Sequence, residues 1–253
     1  MTLQYCSDLH LEFPENKKFL YDNPLQQKGD VLLLAGDVVP FALMDRYSYF
    51  VDYISDHFET TYWIPGNHEY YHGDASVRSG ILDEHIRSNV HLVNNKVVQL
   101  EGIKLIFTTL WTHISPARQW AIERGMNDFR VIKYGDKAFT AREYNLLHHD
   151  SLSFLNDSLS EPGSDTTVVV THHVPTGFHY PEKYKGSPLN EAFAVELYSL
   201  IEELGPEVWI YGHHHFNVPD FQIGKTALTT NQVGYVRFGE HEGFDSSKCL
   251  PCG

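Results

Sequence analysis

Seven side chains able to bind a divalent cation stand just past the ends of five short apolar runs. Leu3-Gln4-Tyr5-Cys6 leads into Asp8 and His10, and Val31-Leu32-Leu33-Leu34 into Gly36-Asp37. Thr61-Tyr62-Trp63-Ile64 leads into Gly66-Asn67-His68-Glu69, and Thr167-Val168-Val169-Val170 into His172-His173. Val208-Trp209-Ile210-Tyr211 leads into Gly212-His213-His214-His215. The donors in question are Asp8, His10, Asp37, Asn67, His172, His213 and His215, a set of carboxylates, imidazoles and one amide with no thiolate. Mixed oxygen and nitrogen donors suit manganese, iron, zinc, cobalt or nickel rather than calcium, magnesium or cuprous copper. Seven donors exceed what one such ion takes, and suit two ions that share a carboxylate and a water. Two divalent ions about 3.5–4 Å apart would hold a bridging hydroxide and clamp the oxygens of an in-line displacement at phosphorus.

The runs that carry these groups read as strands. Four apolar residues closed by a glycine, as at 31–36, describe a strand buried on both faces. Ligands in open α/β sheets collect beyond the carboxyl ends of such strands. Alternation makes Asp8 and His10 point the same way, as it does His213 and His215.

Apolar spacing predicts helices over 41–58 and 74–88, which with the first strands makes βαβαβ order and a parallel sheet. Residues 90–93, 96–100 and 104–107 read as strands separated by turn signals, so the sheet becomes mixed and a second sheet begins. Thr140 with Glu143 three residues on predicts the capped start of a helix running to 159. A further helix is expected over 189–204, ended by Gly205-Pro206, and final strands over 226–230 and 233–238. The segments 113–150 and 176–188 are expected to cap the catalytic edge, and 240–253 to form a tail. The whole, 1–253, is expected to be one domain.

Composition narrows the possibilities. A hydrophobic fraction of 42% supports a substantial core, and 16 histidines are many for 253 residues. The formal charge of -14 argues against gripping a nucleic-acid duplex or docking on an anionic membrane. It still admits a small phosphorylated substrate, because two cations would dominate the field inside the site. The start, Met1-Thr2-Leu3-Gln4, has no signal-peptide pattern and no apolar stretch is long enough to span a bilayer, so the cytoplasm is the expected location. Cys6 reads as a packing residue; Cys249 and Cys252 read as thiols on a loose tail.

Each motif alone is ordinary, but together and in this order they resemble the signature of the calcineurin-like metallophosphoesterase superfamily. The series is Asp8-Leu9-His10, Gly36-Asp37, Gly66-Asn67-His68-Glu69, His172 and Gly212-His213-His214-His215, which covers nearly the whole chain. The resemblance implies a four-layer α-β-β-α sandwich with two mixed sheets. It implies that Asp8, His10 and His215 hold one metal, that Asn67, His172 and His213 hold the other, and that Asp37 bridges. His172 is chosen over His173 because it comes first after its strand. His68 would face the substrate, stabilising charge or protonating the leaving oxygen.

In the protein-phosphatase branch Asp-Arg-Gly follows the Gly-Asp motif and its carboxylate orients the catalytic histidine. Here Val38-Val39-Pro40 stands in that place, so the helper is missing and the chain looks more like small bacterial-type phosphohydrolases. Arg130 is a candidate phosphate clamp beside Asn67 and His68, and Trp111, His113, Tyr180 and Lys183 are candidate pocket residues. The expected activity is hydrolysis of phosphate mono- or diesters by attack of the metal-bridging hydroxide. Two alternatives are a hydrolase splitting the pyrophosphate of a nucleotide or lipid precursor, and a non-catalytic binding scaffold. The scaffold is disfavoured because every ligand position and His68 are filled.

Overall fold

The computed structural model describes residues 1–161 and 166–250. The first half of the chain is β1 (Leu3–Cys6), α1 (Pro14–Asp22), β2 (Val31–Leu34), α2 (Ser48–His57), β3 (Thr60–Trp63), α3 (Ala75–Arg78), β4 (Leu82–Arg87) and β5 (Val90–Asn94). There follow β6 (Lys96–Leu100), β7 (Ile103–Thr108), α4 (Pro116–Gly125), α5 (Asp128–Val131), β8 (Lys133–Tyr134), β9 (Lys137–Ala138) and α6 (Ala141–Ser160). The last elements are β10 (Thr166–Thr171), α7 (Tyr198–Leu204), β11 (Val208–Tyr211), β12 (Phe221–Ile223) and β13 (Thr226–Thr230).

One sheet has the order β1-β2-β3-β5-β4, parallel except for β4. The other has the order β12-β13-β11-β10-β7-β6, with antiparallel strands at both edges. The chain passes between them at Asn94-Asn95, where β5 ends one sheet and β6 opens the other.

Side-chain alternation builds the layers. In β2, Leu33 turns toward Leu105, Phe107 and Val170 of the facing sheet, while Leu32 and Leu34 turn outward onto Phe50, Val51 and Ile54 around α2. In β10, Val168 and Val170 face the other sheet and Val169 faces outward, beside Leu155 and Ile201 of the helices. Helix, sheet, sheet and helix therefore stack as four layers. The capping box at Thr140 forms as expected: its hydroxyl accepts from Arg142 N, and Glu143 accepts from Thr140 N.

Four expectations are corrected. Residues 74–88 are not one helix: only Ala75–Arg78 is helical, and Leu82–Arg87 pairs antiparallel with β5. Val77 and Ile81, which a packed helix over these residues would bury, are 76% and 83% exposed, whereas the strand satisfies the backbone of β5 along its open side. The helix expected over 189–204 shrinks to α7, because residues 193–195 spend their backbone groups pairing with Val174. Residues 233–238 make a 3-10 turn at Val236–Phe238 instead of a strand. Before that turn, Val233 N and Gly234 N donate to the carbonyls of Ser7 and Asp8, which brings Tyr235 over the first motif.

The fourth correction concerns the tail. Tyr5 N donates to Lys248 O, and Leu250 N to Leu3 O, so the segment lies along the edge of β1. Leu250 packs between the sheets and Phe244 on the outer core. Covering an otherwise bare strand edge is the physical reason for its order. Cys249 is half-buried there, and Cys252 lies outside the described residues.

Candidate metal centre

Five loops at the carboxyl ends of β1, β2, β3, β10 and β11 converge on one point. They are tied to one another by backbone bonds. Asp8 N and His10 N donate to Gly36 O and Asp37 O, and Gly212 N donates to His172 O. Glu69, fully buried, accepts from Asp37 N, Val38 N, Gly66 N and the indole of Trp63, which locks the second loop to the third. Burial and the nearby Asp37 push its carboxyl up to about 8, while those backbone N–H groups pull the other way.

The backbone is held in unusual conformations to aim these side chains. Asp8, His10, Asp37, His213 and His215 all have positive φ, between 46° and 77°. Each such residue costs about 1 kcal/mol or more, and five together mark a place where geometry is held against local preference. Gly66 is needed for close approach, since a Cβ there would lie 2.1 Å from Asp37 Oδ1. A Cβ on Gly36, whose φ is +89°, would meet His172 Nδ1 at 2.5 Å.

The seven side chains named from the sequence form two groups that share Asp37: Asp8, His10, Asp37 and His215, and Asp37, His172 and His213, with Asn67 beside the second. Asp37 Oδ2 faces His10 Nε2 at 3.7 Å, while its Oδ1 faces His172 Nε2 at 3.4 Å. His215 Nε2 lies 3.3 Å from Asp8 Oδ1 and 2.9 Å from His10 Nε2. His172 Nε2 lies 3.0 Å from His213 Nδ1 and 3.2 Å from Asn67 Oδ1. All seven residues are essentially buried, His215 being 10% exposed in its side chain.

The far nitrogen of each imidazole is engaged. His172 Nδ1 donates to Ala35 O at 2.9 Å, His215 Nδ1 to Glu240 at 2.8 Å, and His213 Nε2 to Ala192 O at 3.3 Å. The near nitrogens of His10 and His215, and of His172 and His213, then confront each other at about hydrogen-bond distance, which is tenable only with a proton or a cation between them. The two carboxylates call for that positive charge. Burial lowers His215, but the hydrogen bonds to Asp8 and Glu240 overcome it and raise it to about 10. Burial likewise opposes Asp37 at His172, which is raised to about 9, while His213, buried beside His173 and His172, is pushed well down. A set of oxygen and nitrogen donors with oriented outer partners, demanding cations, fits a pair of divalent metals.

His173 is turned away: its Nδ1 meets Thr109 O and its Nε2 meets the hydroxyl of Tyr144. His68 lies outside both groups. Its ring stacks on Tyr71 at 4.0 Å, its backbone N donates to Asp37, and its Nδ1 meets Glu12 Oε1 at 2.8 Å. Its Nε2 faces the hydroxyl of Tyr235 at 3.3 Å. Burial would raise the Glu12 carboxyl, yet bonds to His10 and His68 hold it down at about 2. Arg130 is not brought to this cluster; it is exposed, bonded to Arg124 O and to Asn127. The segment brings Asp128 instead, fully buried, which accepts from Asn67 Nδ2 and from Tyr71 and so turns the amide oxygen of Asn67 toward His172.

Glu12, Asp128 and Glu240 were not singled out in the sequence. Glu12 did carry a signal, because it continues the alternation of Asp8 and His10 by two more residues. Above the cluster opens a cavity of about 450 Å³, floored by Asp37, Asn67, His213 and His215.

Comparisons with known proteins bear on the fold and the family. A protein of Acanthamoeba polyphaga mimivirus called L509, itself uncharacterised, is 28% identical over 260 residues, spanning 92% of this chain and 91% of its own. The crystal structure of phosphopantetheinyl hydrolase (PptH) from Mycobacterium tuberculosis superposes with a TM-score of 0.70 over 98% of this chain and 95% of its own, at 16% identity. The model of the calcineurin-like phosphoesterase family matches residues 1–217, a span that takes in all five loops. By that match the chain belongs to the calcineurin-like phosphoesterases, and it is a phosphoester hydrolase.

Proposed function

We propose that the chain hydrolyses phosphate mono- or diesters of a small molecule at a centre for two divalent metals, of which manganese, iron, zinc, cobalt and nickel fit the donors. Asp8, His10 and His215 would hold one ion, Asn67, His172 and His213 the other, and Asp37 both. The observation that carries the reading is the orientation of Asp37, whose two oxygens face different groups. The ions would supply Lewis-acid polarisation of the phosphoryl oxygens and activation of the water that displaces the alcohol.

The chain's own residues do the rest. Asn67 is turned by Asp128 so that its oxygen faces the second group and its NH₂ faces away. His68 lines the cavity with its Nε2 beside the hydroxyl of Tyr235 while Glu12 holds Nδ1, an arrangement that suits a general acid giving its proton to the departing alcohol oxygen.

The test is metal analysis of purified protein beside rates on an aryl phosphate monoester and its matching diester. Turnover should accompany about two divalent ions per chain and be abolished by Asp37→Asn and by His213→Ala, with circular dichroism unchanged. Turnover surviving in both variants would exclude this site.

A further inference from the structure

The cavity above the metal centre has a wall chemistry that bears on the substrate. The inference rests on the phosphoesterase reading of the site and adds the leaving group to it. Its sides are made by the end of α4, the loop from Tyr180 to Phe193, and Tyr235. Rings dominate: Tyr71 stacks on His68 at 4.0 Å, Phe193 on His213 at 4.6 Å, and Tyr235 stands edge-on to His215 at 4.4 Å. Met126 and Leu189 add apolar surface, and the polar wall groups, Asn127, Ser187 and Asn190, are neutral.

Among the described lining residues none is lysine or arginine. The wall's carboxylate, Glu240, is engaged by His215 Nδ1 and Tyr235 N at 2.8 and 2.7 Å. Lys183 of the loop from Tyr180 to Phe193 and Arg130 of α5 do not line the cavity and are engaged with other groups. Lys183 Nζ lies over the rings of Tyr184 and Phe216, and the guanidinium of Arg130 is bonded to Arg124 O and Asn127. A phosphoryl group at the floor would meet the metals. A second anion higher in the cavity would be desolvated against rings, with no lysine or arginine among the described lining residues and with Glu240 beside it, in a protein of net charge -14.

We infer that this site takes phosphoesters of an uncharged alcohol with an aromatic or extended apolar body, and disfavours leaving groups that carry a second phosphate or a carboxylate. About 450 Å³ is room for a group of two or three rings, and flat rings suit aromatic walls. Discrimination would arise in binding the leaving group, so it falls on KM and kcat/KM more than on kcat.

The experiment compares phenyl, 2-naphthyl and 4-carboxyphenyl esters on the metal-loaded enzyme, as monoesters or methyl diesters according to which is turned over. The naphthyl ester should have the lowest KM, and the carboxyphenyl ester a kcat/KM at least about tenfold below the phenyl ester. Leu189→Lys, which places a cation in the wall, should narrow or reverse that carboxylate penalty. A second readout needs no turnover: saturation-transfer NMR on chelator-treated protein should detect 2-naphthol and not 2-naphthoate. Equal kcat/KM for the carboxyphenyl and phenyl esters, or equal NMR signals for the two naphthalenes, would overturn the inference while leaving the phosphoesterase reading intact. Absence of turnover on every ester would instead overturn the reading on which it rests.

Discussion

Glu12 Oε1 lies 2.8 Å from His68 Nδ1, so the carboxylate partner of this histidine comes from the first loop of the chain. The Gly-Asp motif here continues Val38-Val39-Pro40 and offers no acid to orient His68. Glu12 fills that place from another strand end. Burial lowers the pKa of His68, but Asp37 and Glu12 outweigh it and raise it above the ordinary histidine value, which favours the protonated form that can donate. Glu12→Gln should therefore cut kcat on an alkyl phosphate by about 10²-fold while changing a nitrophenyl ester, whose leaving group needs no proton, by less than about threefold. Metal content should be unchanged. Equal losses on both substrates would show that Glu12 serves only to hold the loop.

Asp128 should matter through Asn67. Its carboxylate accepts from the amide at 3.1 Å and fixes which end of that side chain faces the second group of donors. Asp128→Ala frees the amide to flip, and the expected cost is about 10–100-fold in affinity for one of two ions. Calorimetric titration should then show one tight and one weakened site. Two unaltered sites would mean that Asn67 is oriented by something else.

Gly66→Ala tests the closeness of the loops. A methyl group 2.1 Å from Asp37 Oδ1 and 2.6 Å from His172 Cε1 cannot be accommodated without moving both groups of donors apart. Overpacking of this kind costs about 1–3 kcal/mol, so thermal unfolding should come several degrees earlier and activity should vanish. An active protein of unchanged melting temperature would contradict the geometry.

Metal affinity should rise with pH. His172 and His215 are raised to about 9 and about 10, so both carry protons at pH 7 that an incoming cation must displace. For the metal-free protein the sign is opposite. A histidine whose folded pKa is raised stabilises the fold fully below about 6.5 and loses that contribution as pH climbs through its folded value. The rise in melting temperature produced by Mn²⁺ at fixed concentration should therefore be larger at pH 9 than at pH 7. A shift independent of pH would mean that these imidazoles are already neutral.

Much of this was legible in the chain itself, and the reasons are local. A buried parallel strand is a short apolar run, and its carboxyl end is marked where that run gives way to glycine and polar groups. Asp8, Asp37, Asn67, His172 and His213 could be placed at such ends from one-dimensional pattern alone. The capping box of α6 was equally readable, because Thr140 and Glu143 act on each other across three residues. Residues 74–88 were misjudged for the converse reason: Leu82 and Ile86 fit a helical face as well as a strand, and only the open side of β5 decided between them.

Tertiary structure alone determined which distant groups serve one another. That Glu12 reaches His68, Asp128 reaches Asn67 and Glu240 reaches His215 depends on contacts between residues 25 to 61 positions apart, which no spacing rule encodes. The same holds for Arg130, whose type suited a phosphate clamp and whose place on α5 turned it elsewhere. Residue types and strand ends set what chemistry was available; the packing of two sheets and the segments over their ends set which side chains it would use, because a hydrogen bond is decided by distances of a few tenths of an ångström that only the folded chain possesses.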